Sequence, residues 1–180
     1  MQKPRCISAA NRIINRTNAH NIWRYELGKP RIKLTGMRLQ KILYLVELFW
    51  YTEHEECEMI FENFEAWPNG PVIPEIYDYF SVYQYCDMSP FLGINNYKLN
   101  EEERILINKV VDSTIELSTE SIIDYICSLD GPWAQTYKNG QGLYSVISKK
   151  DIKQYIKAIK RNLFCDRKSK QQIISDIENS

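Results

Sequence analysis

Residues 35–52, TGMRLQKILYLVELFWYT, decide the fold. Thr35 is a residue type that caps helix N-termini. Leu39, Ile42, Leu43, Val46, Phe49 and Trp50 then recur at the i, i+3, i+4, i+7 spacing of one helical face. Arg38, Lys41 and Glu47 fall on the other side, while Leu45 and Leu48 widen the apolar stripe beyond what a surface helix needs. The spacing predicts a central helix over residues 36–52, with the rest of the chain packed around it.

Upstream, Ile7, Ala10, Ile13 and Ile14 share one side of a helix expected over residues 5–19, and Gly28-Lys29-Pro30 marks a loop. Downstream, residues 58–67 (EMIFENFEAW) read as a short β-hairpin or extended pair turning at Glu62-Asn63. Pro68-Asn69-Gly70-Pro71 forces a sharp turn, and Pro71 suits the first turn of a helix over residues 72–84, where its missing N–H costs nothing. Residues 86–99 read as irregular. Asn100 caps a helix at 101–115 whose first turn, Glu101-Glu102-Glu103, matches the helix dipole. Ser118 caps another at 119–129, ended by Gly131-Pro132, and Ser148 opens a last one with Ile152, Tyr155, Ile156 and Ile159 inward. The class is mainly α, a multi-helix domain over residues 1–165 with a polar tail or short helix at 166–180.

The bulk composition agrees: 180 residues, 44% hydrophobic and 26% charged, are ordinary for one globular domain. A chain this long buries roughly 70% of its unfolded surface without staples. The five cysteines are odd in number and form no CxxC pair, against both a disulfide scaffold and a cysteine zinc site. With no apolar run long enough to span a bilayer and none like a signal peptide at the N-terminus, the expected compartment is the cytoplasm, without membrane contact. Net charge is zero, yet residues 1–41 carry +9, residues 42–130 carry −15 and residues 131–180 carry +6. Either the basic ends fold back onto the acidic middle, or the middle steers a basic partner.

Chemistry finds little to stand on. The two histidines, His20 and His54, sit in no triad motif, and neither a GxxxxGK[ST] nor a GxGxxG loop occurs. His54 and Cys57 lie among Glu53, Glu55, Glu56 and Glu58, which reads as a solvated acidic turn rather than a metal site. No catalytic residue, metal or cofactor is expected. Arg24, Lys29, Arg31, Lys33, Arg38 and Lys41, with Trp23 and Tyr25, could hold phosphates, but the acidic middle opposes nucleic acid and a solvated basic edge is the plainer reading.

Three blocks resemble one family. Leu39-Gln40-Lys41-Ile42-Leu43-Tyr44 is similar to the leucine-glutamine-lysine-leucine-leucine-tyrosine helix of the Panacea (SocA-like) antitoxin domain, some of whose members are described as GepA-like and phage-associated. Phe64-Glu65-Ala66-Trp67, Gly70-Pro71-Val72 and Pro74-Glu75-Ile76-Tyr77 resemble its glutamate-alanine-tryptophan, glycine-proline-valine and proline-x-valine-tyrosine stretch, and Pro132-Trp133 its late proline-tryptophan pair. Where that family commonly has threonine-histidine, this chain has Cys127 and Ser128, so no role of that histidine carries over.

The resemblance implies an antitoxin that neutralises a protein toxin, encoded nearby in a bacterium or prophage, by binding it. A phage or prophage regulator or interference protein acting on nucleic acid or a host protein is the alternative. Leu39, Gln40, Lys41, Tyr44, Trp67, Gly70, Pro71 and Trp133 are expected to serve the fold first. For the partner surface the expectation is Trp67, Pro71, Glu75, Asp78, Tyr79 and Tyr83, because the 72–84 helix carries more aromatic rings than one buried face holds and sets acids beside them.

Overall fold

The computed structural model describes residues 5–165, except residues 56, 84–85, 89–98 and 129. Seven α-helices and one two-stranded antiparallel sheet lie within them: α1 Arg5–Glu26, α2 Gly36–Glu53, β1 Glu65–Trp67, β2 Gly70–Val72, α3 Pro74–Tyr79, α4 Glu101–Thr114, α5 Thr119–Ser128, α6 Pro132–Tyr137 and α7 Lys149–Cys165. The class is mainly α. The expected 166–180 tail lies outside the described residues.

Helix α2 is the axis, packing on α1, α4, α5, α7 and β2. Thr35 caps it as expected, its hydroxyl accepting from the Arg38 N–H at 3.3 Å. Around it are buried Ile13 and Ile14 of α1, Ile107 and Val111 of α4, Ile122 and Ile126 of α5, and Ile152 and Ile156 of α7. So complete is the enclosure that the polar side of α2 is buried too. Arg38, Gln40, Lys41 and Glu47 are at most 4% exposed, and each must find partners inside the protein.

Arg38 finds them at the far end of α4. Its guanidinium donates to the carbonyls of Leu117 and Thr114, both at 2.7 Å, and of Ile115 at 3.3 Å. Thr114 and Ile115 lie at the end of α4, where carbonyls lack intrahelical partners, Leu117 lies just past it, and a cation also suits that end of the dipole.

The uneven charge folds back on itself. In ascending order along α1 and α4, Arg5 pairs with Glu103, Arg12 donates to Asn108 at 3.0 Å, Arg16 pairs with Asp112 at 2.6 Å, and Arg24 pairs with Glu116. From the other end, Lys149 reaches Glu58 at 2.6 Å.

The local capping signals place α4 and α5 within a residue of expectation, with a full capping box at Asn100 and Glu103 and Ser118 accepting from the Ser121 N–H. Helix α1 runs seven residues further than its apolar periodicity suggests. Its last turns are held by polar contacts instead: Asn21 pairs with both backbone groups of Ile32, and Arg24 donates to the Pro30 carbonyl at 2.7 Å.

The hairpin is shifted from the expected position. Its turn is Pro68-Asn69 rather than Glu62-Asn63, and the register pairs Glu65 with Val72, Ala66 with Pro71 and Trp67 with Gly70. Pro71 therefore lies in a strand and not in the first turn of a helix; Pro74 takes that place, and only residues 74–79 are α-helical before a 3-10 turn at Ser81–Tyr83. Pro71 is tolerated because its partner Ala66 turns away. The Ala66 N–H donates to the Ser145 carbonyl and its own carbonyl accepts from the Tyr144 N–H, both at 2.9 Å. The Ala66–Pro71 pair has no ladder bond for the missing N–H to break.

Candidate functional site

The blocks that carry the resemblance meet at the hairpin. Gln40 holds it from below with both ends of its amide: Nε2 donates to the Ile73 carbonyl at 3.1 Å, and Oε1 accepts from the Ile73 N–H at 2.9 Å. Lys41, one residue on, donates from Nζ to the Pro71 carbonyl at 3.0 Å. Tyr44 packs edge-on to Phe64, ring centroids 5.2 Å apart. The Trp133 indole N–H donates to the Trp67 carbonyl at 3.1 Å, tying α6 to β1. Leu39 is in the core. These contacts converge on one short sheet that cannot stand alone in water. Replacing Gln40 with leucine leaves two buried backbone groups of Ile73 without partners. Urea unfolding is expected to show a loss of roughly 2–4 kcal/mol.

Gly70 is required twice over. Its φ of +101° is one that side chains rarely adopt, and a Cβ there would lie 3.0 Å from Cε and 3.2 Å from Nζ of Lys41. Beside it opens a mainly apolar cleft of about 180 Å3 between the start of α2, the hairpin and α3. Leu39, Val72, Ile76 and Phe80 form its walls, with Lys41, Gly70 and Trp67 also lining it and Met37 and Tyr77 near the outside. Burial pushes the Lys41 ammonium down to about 7.

Outside the cleft lies an aromatic strip. Trp67, half-buried, stands 4.8 Å from Tyr77 and 5.1 Å from Tyr144 between ring centroids, and its indole N–H donates to Glu65. Tyr144 is 56% exposed. The sequence reading missed it, because it reaches β1 only through the segment after α6, where Ile147 N–H donates to the Phe64 carbonyl at 2.7 Å. Gly142 is the local signal: a Cβ there would collide with the Thr136 carbonyl, so this turn admits glycine alone.

The residues expected to meet a partner separate into groups. Glu75, Asp78 and Tyr79 are exposed and, at i, i+3, i+4 spacing, share one side of α3. Trp67 belongs to the aromatic strip. Tyr83 is half-buried against the core. Pro71 is buried in β2, so its part in any contact is to shape the hairpin.

Half of the basic stretch 24–41 is consumed inside the protein, while Lys29, Arg31 and Lys33 are exposed. Arg24, Arg38 and Lys41 are buried in the contacts given above, and Arg31 lies 3.8 Å from Asp87. At the end of α2, His54 stacks on Trp50 at 3.8 Å, and its Nε2 lies 3.2 Å from Glu102 of α4. Glu53, His54 and Glu102 are the side chains that could hold a metal among the described residues, their ligand atoms within 4.8 Å of one another. Glu102 was invisible to the sequence reading, which had only the acids next to His54. Cys127 is half-buried, close enough for Lys41 to act on its thiol, although burial dominates and raises it.

Residues 39–134 match the family described as "Antitoxin SocA-like, Panacea domain". No curated protein and no solved structure matches the chain. No described helix is long and apolar enough to cross a membrane.

Proposed function

The chain belongs to the antitoxin SocA-like, Panacea domain family, and from that membership we propose that it neutralises a protein toxin, encoded nearby in a bacterial or prophage genome, by direct protein–protein binding in the cytoplasm. The observation that carries the reading is the surface around the hairpin. Aromatic rings of Tyr144, Trp67 and Tyr77 border an apolar cleft, and Tyr79 stands with Glu75 and Asp78 on the next exposed side of α3. Exposed aromatics beside a preformed apolar depression are what protein-binding hot spots are made of. The acids add attraction for a basic toxin, as many that act on nucleic acid or ribosomes are.

Neutralisation then works by covering. The hairpin is fixed from behind by Gln40, Lys41 and Trp133, so the surface is preorganised and little ordering cost is incurred on binding. The alternative, a regulator that binds nucleic acid, has less support, since Arg24, Arg38 and Lys41 of the basic stretch are occupied internally.

The test is the triple substitution Glu75→Lys, Asp78→Lys, Tyr79→Ala, co-expressed with the neighbouring toxin. Affinity is expected to fall about 30-fold or more, the scale of one lost hot spot, with thermal unfolding unchanged. Full neutralisation by the triple variant would remove this side of α3 from the interface. A band shift with random DNA at physiological salt, coupled to failure to bind the toxin, would favour the regulator.

A further inference from the structure

We propose that the cleft holds the last residue of a partner chain, its side chain between the apolar walls and its terminal carboxylate on Lys41. This deepens the reading of the protein as a direct binder and rests on it.

Lys41 stands apart from the other buried cations. Arg24 meets a carboxylate, and Arg38 meets three carbonyls. Lys41, 1% exposed, makes one hydrogen bond, to the Pro71 carbonyl, and no ion pair among the described residues. An ammonium has three N–H donors, so two are left. A buried cation without a counter-ion is costly, and an incoming carboxylate removes that cost while gaining charge-assisted hydrogen bonds.

The surroundings of this amine are those of a site. Lys41 lines the cleft, and Gly70 lies against its end. Any Cβ at position 70 would crowd Cε and Nζ; the glycine keeps that approach clear. The walls are Leu39, Val72, Ile76 and Phe80, which call for an apolar group.

Size and chemistry select the occupant. At about 180 Å3 the cleft is smaller than the roughly 300–1,000 Å3 pockets that enclose drug-sized ligands; it suits one residue. An internal Asp or Glu would bring a carboxylate but no apolar body to fill the walls. A chain end with a large apolar residue brings both within one residue. The cleft is also continuous, through Trp67 and Tyr77, with the exposed aromatic strip over which the rest of a partner would lie.

The test uses the full chain and three probes, followed by calorimetry and by the fluorescence of Trp67 against a Trp67→Phe control: N-acetyl-L-phenylalanine, its C-terminal amide, and 3-phenylpropanoate. N-acetyl-L-phenylalanine is expected to bind about tenfold or more tighter than the amide, as a charge-assisted contact requires, and tighter than 3-phenylpropanoate, which lacks the peptide group. Lys41→Met is expected to erase the preference for acid over amide. Should that variant not fold, the acid-against-amide comparison on the unaltered chain carries the test alone. Equal binding of acid and amide, or no binding of either, overturns the proposal. If 3-phenylpropanoate binds as tightly as N-acetyl-L-phenylalanine, a free small carboxylate is the occupant and the chain end is not. Toxin does not enter these measurements, so the two readings fail separately. Probe binding without neutralisation counts against the antitoxin reading, and neutralisation without probe binding counts against the site.

Discussion

Replacing Arg38 with methionine is expected to cost about 3–4 kcal/mol of folding stability, read as a lower urea midpoint at unchanged slope. The methionine keeps most of the apolar contact of the arginine stem. What it loses is the planar fork that reaches the Leu117, Thr114 and Ile115 carbonyls together. Those acceptors lie at or just past the end of α4, where Thr114 also accepts from the Leu117 N–H at 3.1 Å but no further helical turn supplies donors. Arg38 itself bears a burial penalty, which lowers its proton affinity, and the variant escapes that penalty. This is why the expected loss is below the sum of three charged hydrogen bonds. Arg38→Lys should recover little, because a point-like ammonium on a shorter stem cannot span three carbonyls. A loss under about 1 kcal/mol in the methionine variant would mean that the end of α4 finds other donors, and that the tie between α2 and α4 is weak.

The second large effect comes from Glu47 and depends on pH. Its carboxyl is 1% exposed; Oε2 accepts from the Ile60 N–H at 2.9 Å, while Oε1 has no hydrogen-bond partner among the described residues. Burial raises it from 4.5 to about 7, and the Ile60 N–H, the nearby Tyr51 hydroxyl and the charge of Lys149 only partly oppose that. Between these values the folded chain keeps a proton that the unfolded chain has released. Its contribution to stability is therefore fullest below pH 4.5 and is lost as pH rises through about 7. Glu47→Gln removes the charge but keeps the acceptor for Ile60. At pH 8 it should stabilise the protein by up to about 3 kcal/mol, and at pH 4 hardly at all. Lys41 acts in the opposite sense. Lowered from 10.5 to about 7, it bears its full cost below pH 7 and sheds it as pH rises toward 10.5. Subtracting the parent's pH curve from that of Glu47→Gln cancels the lysine and isolates the carboxyl. A flat difference curve from pH 4 to 8 would show that Glu47 is not buried as described.

Much of this was legible from the chain because it is local. Thr35, Asn100 and Ser118 cap the helices they were expected to cap, since a cap needs only the next three residues. The periodicity of α2 found the core. The hairpin was mislaid because Pro68, Pro71 and Pro74 each suit a turn or a helix start, and only pairing with residues 144–145 decides which does what. The polar residues of α2 looked solvent-facing because their partners lie 13 to 79 residues away. The aromatic strip was half visible: Trp67 stood in a recognisable block, whereas Tyr144 is marked by no periodicity, and Tyr77 lies on a helix of only 6 residues where a longer one was expected.

One feature of the hairpin bears on the order of events in a living cell. Its six residues precede by more than seventy positions the residues that complete it: among the described residues Ala66 bonds to Ser145 and Tyr144, and the Phe64 carbonyl to the Ile147 N–H. A ribosome that has released the first hundred residues has therefore delivered both strands without the edge that completes them. The hairpin becomes whole only after residues 144–147 have emerged, so a product terminated before them would carry the central helix and an unfinished hairpin.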